Sequence, residues 1–136
     1  MSKRVFIVFG MVVLVLAVLI PWLAFRDKGD ASTGPQQVAA QYEHGQELFQ
    51  TNCGTCHTLY SAGTDGNYAP DLDELLAPNG PPEEKATVES TTERVLNAVE
   101  NGVDSSTTPG RMPAGILNQQ QAKEVAEFVG ATAGEG

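Results

Sequence analysis

The five residues Cys53-Gly54-Thr55-Cys56-His57 constrain this chain more tightly than anything else in it. The two cysteines are the only ones present, and a histidine follows the second directly. On a turn of helix, positions i, i+3 and i+4 share one face, so both thiols and the imidazole project the same way. The domain around them has little of its own to bury. From Gly29 to Gly136 there are 36 apolar residues; 13 are alanine and two are these cysteines, leaving 21 large apolar side chains between Val38 and Val129. A soluble domain of this length with so few is near the lower limit for folding by its own burial. Either part of it is disordered, or something that is not protein fills its middle. A large multidomain enzyme is excluded by length, and a repeat array by the lack of any internal period of about 20–50 residues.

C-x-x-C-H is the pattern of covalent haem attachment: two thiols form thioethers with the porphyrin's vinyl groups, and the histidine reaches the iron. Three other chemistries use similar residues. A thioredoxin-like dithiol motif wants a βαβ context, and no strand pattern precedes this one. A disulfide is open in an oxidising compartment but leaves His57 without a role. Zinc is open too, with Cys53, Cys56, His57 and His44 as four ligands, although His44 lies beside Glu43 and Glu47 on a solvated helix face.

If the group is haem, its second axial ligand decides the type of protein, and iron takes a methionine, a histidine or a small molecule. Beyond the N-terminal segment the one methionine is Met112, in Pro109-Gly110-Arg111-Met112-Pro113-Ala114-Gly115. Pro113 pushes the residue before it towards extended backbone, which holds a thioether on a rather rigid support. A lone methionine often only fills a core. This one sits between an arginine and a proline in a glycine-rich loop. His44 is the alternative, disfavoured because it lies 13 residues before His57 on what reads as one continuous helix.

The N-terminal part is of another kind. Val5 to Phe25 is uncharged, broken only by Gly10 and Pro21. As a helix of 21 residues it rises about 31 Å, enough for a bilayer's hydrocarbon core. Trp22 and Phe25 near its end, followed by Arg26 and Lys28, suit an interface. A cleavable signal peptide has a shorter apolar run and a small-residue cleavage site, and neither is present. Residues 1–26 therefore read as an uncleaved membrane anchor. Two basic residues on each side leave its orientation undecided. Residues 27–36 read as a flexible tether, 37–130 as the folded domain and 131–136 as a disordered tail.

The domain reads as all-α, with helical patterns separated by long loops. Val38, Tyr42, Gly45 and Phe49 share a face of a helix of about 15 residues. Ser90 and Glu93 have capping-box spacing ahead of Val95, Leu96 and Val99, with Gly102 as the stop. Asn118 and Gln121 start a last helix through Ala122, Val125, Ala126 and Val129, ended by Gly130. No alternating stretch of useful length appears. The loops at residues 62–70, 78–82 and 104–115 are long enough to imply that they wrap something. From Gly29 onward there are four basic residues against 16 acidic ones. A surface of that sign repels nucleic acid and anionic lipid and suits a partner with a basic docking surface.

Taken together, these parts resemble a class I monohaem c-type cytochrome of the bacterial, membrane-anchored sort, over roughly residues 38–130. Gly45-Gln46-Glu47-Leu48-Phe49 resembles the family's first helix, whose glycine and aromatic meet the last helix, where Phe128 matches. Cys53 to His57 resembles the attachment site. Ala69-Pro70-Asp71-Leu72 resembles the segment whose proline carbonyl accepts the ring N–H of the haem-ligating histidine, and Met112-Pro113-Ala114 resembles the axial methionine loop. The family often has glycine where Ala69 stands. A tryptophan partner for the haem propionates is missing, leaving Asn67, Tyr68 and Arg111 for that role.

The resemblance implies a cytochrome c fold of three to five helices around one covalent haem c, preceded by a single transmembrane helix. It implies attachment through Cys53 and Cys56, axial ligation by His57 and Met112, and a supporting bond from Pro70. Phe49, Leu59, Tyr68, Leu72, Val99 and Ile116 are expected to pack around the haem. It further implies a single-electron carrier rather than an enzyme, anchored with its N-terminus inside and its haem domain outside the cytoplasmic membrane. Its partners are then membrane-bound redox complexes: a quinol-oxidising donor and a terminal oxidase or reaction-centre acceptor. A fixed subunit of an oxidase or reductase, a haem-based sensor and a zinc-binding domain are the alternatives.

Overall fold

The computed structural model describes residues 3–26, 35–104 and 111–136. They belong to two units, Met1–Ser32 and Thr33–Gly136. The first contains one helix, α1 (Lys3–Arg26), of 24 residues. Its described side chains are those of residues 7–20, and all are exposed, twelve of them large and apolar. Among the residues whose side chains are described, no helical stretch is long and apolar enough to cross a membrane. Most of the expected tether, residues 27–34, lies outside the described residues.

In the second unit the chain order is a 3-10 turn (Ala40–Tyr42), α2 (Glu43–Asn52), β1 (Thr58–Leu59), a 3-10 turn (Tyr60–Ala62) and β2 (Thr64–Asp65). Then come α3 (Leu72–Leu76), α4 (Lys85–Asn101), β3 (Val103–Asp104), β4 (Arg111–Met112) and α5 (Gln119–Thr132). Apolar side chains recur along α5 at helical spacing, and both α2 and α4 pack against it. Gly45 lets α2 approach closely: a Cβ there would meet Phe128 Cβ at 2.9 Å. The rings of Phe49 and Phe128 meet edge to face with centroids 6.1 Å apart, as the resemblance implies. Around them Leu59, Ala62, Val125, Val129 and Ala133 complete a small core.

The last helix starts as its sequence implies. Asn118 accepts from the Gln121 N–H at 3.0 Å, and the Gln121 side chain accepts from the Asn118 N–H at 3.2 Å. It does not stop at Gly130. That residue is buried inside the helix against Thr92 of α4, where a side chain has no room. The helix runs to Thr132, and Ala133 is fully buried. The expected disordered tail is thus corrected: its first residues finish α5 and enter the core.

Two other expectations change. The helix after residue 84 begins at Lys85, so Ser90 and Glu93 are not its capping box; the Ser90 hydroxyl donates to the Thr87 carbonyl within the helix at 2.9 Å. Gly102 does end it, at φ +73°. The single helix expected around Tyr42 is a 3-10 turn continued by α2. The domain is mostly helical, with two antiparallel pairs added: Thr58↔Asp65 with Leu59↔Thr64, and Val103↔Met112 with Asp104↔Arg111. Two-residue strands are too short to leave an alternating pattern in a sequence.

Candidate haem site

Cys53 closes α2, its N–H bonded to the Phe49 carbonyl at 2.8 Å. The backbone then turns tightly: the N–H groups of Cys56 and His57 both donate to the Cys53 carbonyl at 3.0 Å. This places two half-buried thiols and a half-buried imidazole on one turn. Neither cysteine is in a disulfide. Burial, with Cys56 adding to it, pushes the Cys53 thiol up to about 11. A thiol so far from ionisation at neutral pH is a poor redox nucleophile, which counts against the dithiol reading.

His57 is held from two sides. Its Nδ1 lies 2.8 Å from the Pro70 carbonyl oxygen. A carbonyl only accepts, so Nδ1 carries the proton and Nε2 is left with its lone pair, the form a metal-ligating histidine takes. Its backbone carbonyl accepts from the Thr64 hydroxyl at 3.0 Å. Thr64 in turn accepts from the Leu59 N–H at 3.1 Å, and Thr58 donates to the Gly66 carbonyl at 2.9 Å. The β1–β2 pair is thereby sewn onto the turn that bears the ligands.

Gly66 lies directly against that turn. A Cβ on it would stand 2.6 Å from the Cys56 carbonyl carbon and 2.8 Å from the His57 nitrogen. The Ala69 N–H adds a bond to the Cys56 carbonyl at 2.9 Å and leads the chain to Pro70. Neither Thr64 nor Gly66 was marked by the sequence as part of the site. Their roles come from a fold-back of about ten residues, and a Gly or Thr in a polar loop carries no signal of it.

Met112 is on a different element. It pairs with Val103 across β3 and β4, next to Asp104 and Arg111, whose side chains form an ion pair at 2.8 Å. Gly102 comes close to it: a Cβ there would be 2.6 Å from the Met112 carbonyl oxygen and 2.9 Å from the Ala114 nitrogen. Residues 105–110, which include Pro109 and Gly110 of the expected methionine loop, lie outside the described residues.

The side chains expected to pack around a haem divide. Phe49 and Leu59 are in the core cluster, Val99 is buried on α4 and Leu72 is half-buried against the same core. Tyr68 and Ile116 are exposed, as is Asn67, and Arg111 is engaged with Asp104. His44 does not join the cysteines. Its Nδ1 lies 2.6 Å from the Glu124 carboxylate on α5, and among the described residues no three His, Cys, Asp or Glu side chains are grouped to hold a metal ion, which counts against the zinc reading. Bonds from Gln120 and His44 hold the Glu124 carboxyl below the usual carboxylate range.

The donor set fits a haem attached by two thioethers: paired free thiols one helical turn apart, and an imidazole with its proton fixed on the nitrogen that faces away from a metal. The comparisons with known proteins agree. The family model described as cytochrome c matches residues 42–133. Among solved structures the chain is similar to the c-type cytochrome SorU from Sinorhizobium meliloti, at 32% identity and a TM-score of 0.51, covering 69% of this chain and 92% of that one. No curated protein sequence matches.

Proposed function

Because the chain belongs to the cytochrome c family and its domain carries covalently bound haem c, we propose that it is a membrane-tethered carrier of single electrons and not an enzyme. When bound, the haem supplies one-electron chemistry at its iron. Cys53 and Cys56 would hold it covalently, and His57 and Met112 would be the side chains given to its iron. The observation that carries this reading is the bond from His57 Nδ1 to the Pro70 carbonyl, which frees and orients Nε2. With His57 and Met112 both given to the iron, no place would be left there for a substrate, which suits transfer of electrons over catalysis.

The membrane anchor in this proposal is α1. Its 24 residues rise about 36 Å at 1.5 Å each, longer than a hydrocarbon core is thick. A helix that exposes large apolar side chains all round from Ile7 to Ile20 is compatible with lipid and poorly compatible with water. Cytochrome c domains usually lie outside the cytoplasm, so the N-terminus is inside and the haem domain outside the cytoplasmic membrane. The excess of carboxylates from Gly29 onward favours redox partners with basic docking surfaces, such as a quinol-oxidising donor and a terminal oxidase or reaction centre as acceptor.

A pyridine haemochrome spectrum of the full chain, expressed with a cytochrome maturation system, tests the core of this reading. A haem c spectrum retained after acid–acetone extraction is the expected result. A colourless protein, or one that yields its haem to the solvent, overturns it. Protease treatment of intact spheroplasts tests the topology: the domain is expected to be digested, and its protection contradicts an N-inside anchor.

A further inference from the structure

Asp73, on α3, has an unusual set of partners. One carboxylate oxygen accepts from the Tyr60 N–H at 2.7 Å and the other from the Gly134 N–H at 2.7 Å. One side chain thus joins three segments far apart in sequence: the turn that leaves β1, α3 itself and the end of the chain after α5. The C-terminal partner is wedged in place. Gly134 has φ +88°, and a Cβ on it would lie 2.7 Å from Ala77 Cβ and 2.7 Å from the Gly80 carbonyl carbon. Just before it, Ala133 is fully buried in the core, and the Thr132 hydroxyl meets that of Ser61 at 2.7 Å in a buried pair.

The position of α3 matters because of what precedes it. Its N-cap is Asp71, which follows Pro70, and the Pro70 carbonyl takes the His57 ring proton. A five-residue helix has almost no stability of its own, so its place depends on what holds it from outside. Among the described residues, Asp73 is the only α3 side chain hydrogen-bonded to another element. The Pro70 carbonyl belongs to the planar peptide that joins it to Asp71, the N-cap of α3, so a shift of α3 carries through to it. The strength and direction of that hydrogen bond set the plane and basicity of a ligating imidazole.

We propose that Asp73 and the Ala133–Gly134 segment form a latch that positions His57, through α3 and the Pro70 carbonyl, for its role as an iron ligand. Asp73 is a positioning residue, and the inference rests on His57 being the ligand.

The test uses the full-length holoprotein with Gly134→Ala, whose added methyl forces the segment away from Ala77 and Gly80 without changing any charge, and Asp73→Asn, which leaves one acceptor for two N–H groups. Both should change the ferric electron paramagnetic resonance g-values and the pattern of haem-methyl shifts in the NMR spectrum. Exchange of the His57 ring proton should quicken about tenfold, as expected for weakening one hydrogen bond. Glu135→Gln removes a carboxylate beside Asp73 without touching the latch and should leave all three readouts as in the parent. If Gly134→Ala does not accumulate, a chain ending at Ala133 makes the same comparison. Latch variants that melt earlier yet keep the parent's g-values and methyl pattern overturn the proposal, leaving the latch a stabilising contact only. A parent protein in which the His57 ring shows no hyperfine shift overturns the ligand assignment and the latch with it.

Discussion

The two sides of the site are built differently. On the histidine side, His57 is bonded through its ring to Pro70 and through its carbonyl to Thr64, while Ala69 and Gly66 close on the same turn. On the methionine side, Met112 depends on a two-residue strand pair and the approach of Gly102, beside an ion pair whose partners are both about three-quarters exposed (74% and 75%). Pro113, Ala114, Gly115 and Ile116, which follow, are all exposed. Exposed pairs contribute little, and contacts open to water are the first to be lost in local opening. Of the two proposed ligands, His57 is held from several sides and Met112 by far less, so Met112 is expected to be the first to let go.

The largest expected effect removes what both sides hold. With Cys53→Ser and Cys56→Ser together, no covalent haem forms and the small core is left alone. A porphyrin buries apolar surface worth roughly 25 cal/mol per Å², a contribution comparable to the whole stability of a typical domain, about 5–15 kcal/mol. Far-ultraviolet circular dichroism of the double variant should show no cooperative melting of the domain. Melting close to that of the parent means that the protein part folds by itself.

Next is Met112→Ala, which breaks one side only. The iron should open, the reduced protein should bind carbon monoxide rapidly and the reduction potential should fall, because a thioether ligand favours the ferrous state. An unchanged optical spectrum assigns the ligand elsewhere. Gly66→Ala strikes the other side by overpacking. It should cost about 2 kcal/mol in urea unfolding, since backbone atoms of Cys56 and His57 lie where the methyl must go. A variant as stable as the parent shows that the histidine turn yields more easily than its bonds indicate. Arg111→Gln has the smallest expected effect, below about 1 kcal/mol in the same assay, because its partner Asp104 is as exposed as it is. A larger loss makes the methionine side as firmly built as the other.

Sequence reading recovered the parts whose signal is local. The attachment motif, the Asn118–Gln121 cap and the Gly102 stop depend on residues within a few positions of each other, and each is where it was expected. The Phe49–Phe128 meeting and the Pro70 bond came from resemblance, because nothing local links residues so far apart. The start of α4 was misread because Glu84 makes no side-chain cap, while Ser90 and Glu93 imitate one in mid-helix. The tail was misread because Gly and Ala look disordered in a sequence. Here Ala133 fills the core, and Gly134 is required at a positive φ where Ala77 and Gly80 leave no room for a side chain. Thr64 and Asp73 escaped for the same reason: their partners are created by the fold.

Native-state amide exchange on the haem-loaded protein tests the contrast between the two sides most directly. The N–H groups of His57 and Ala69 should exchange only through opening on the scale of global unfolding, and those of Val103 and Met112 through a local opening of distinctly lower free energy. Equal protection on both sides, or a histidine turn that exchanges first, contradicts the division between a fixed and a releasable ligand.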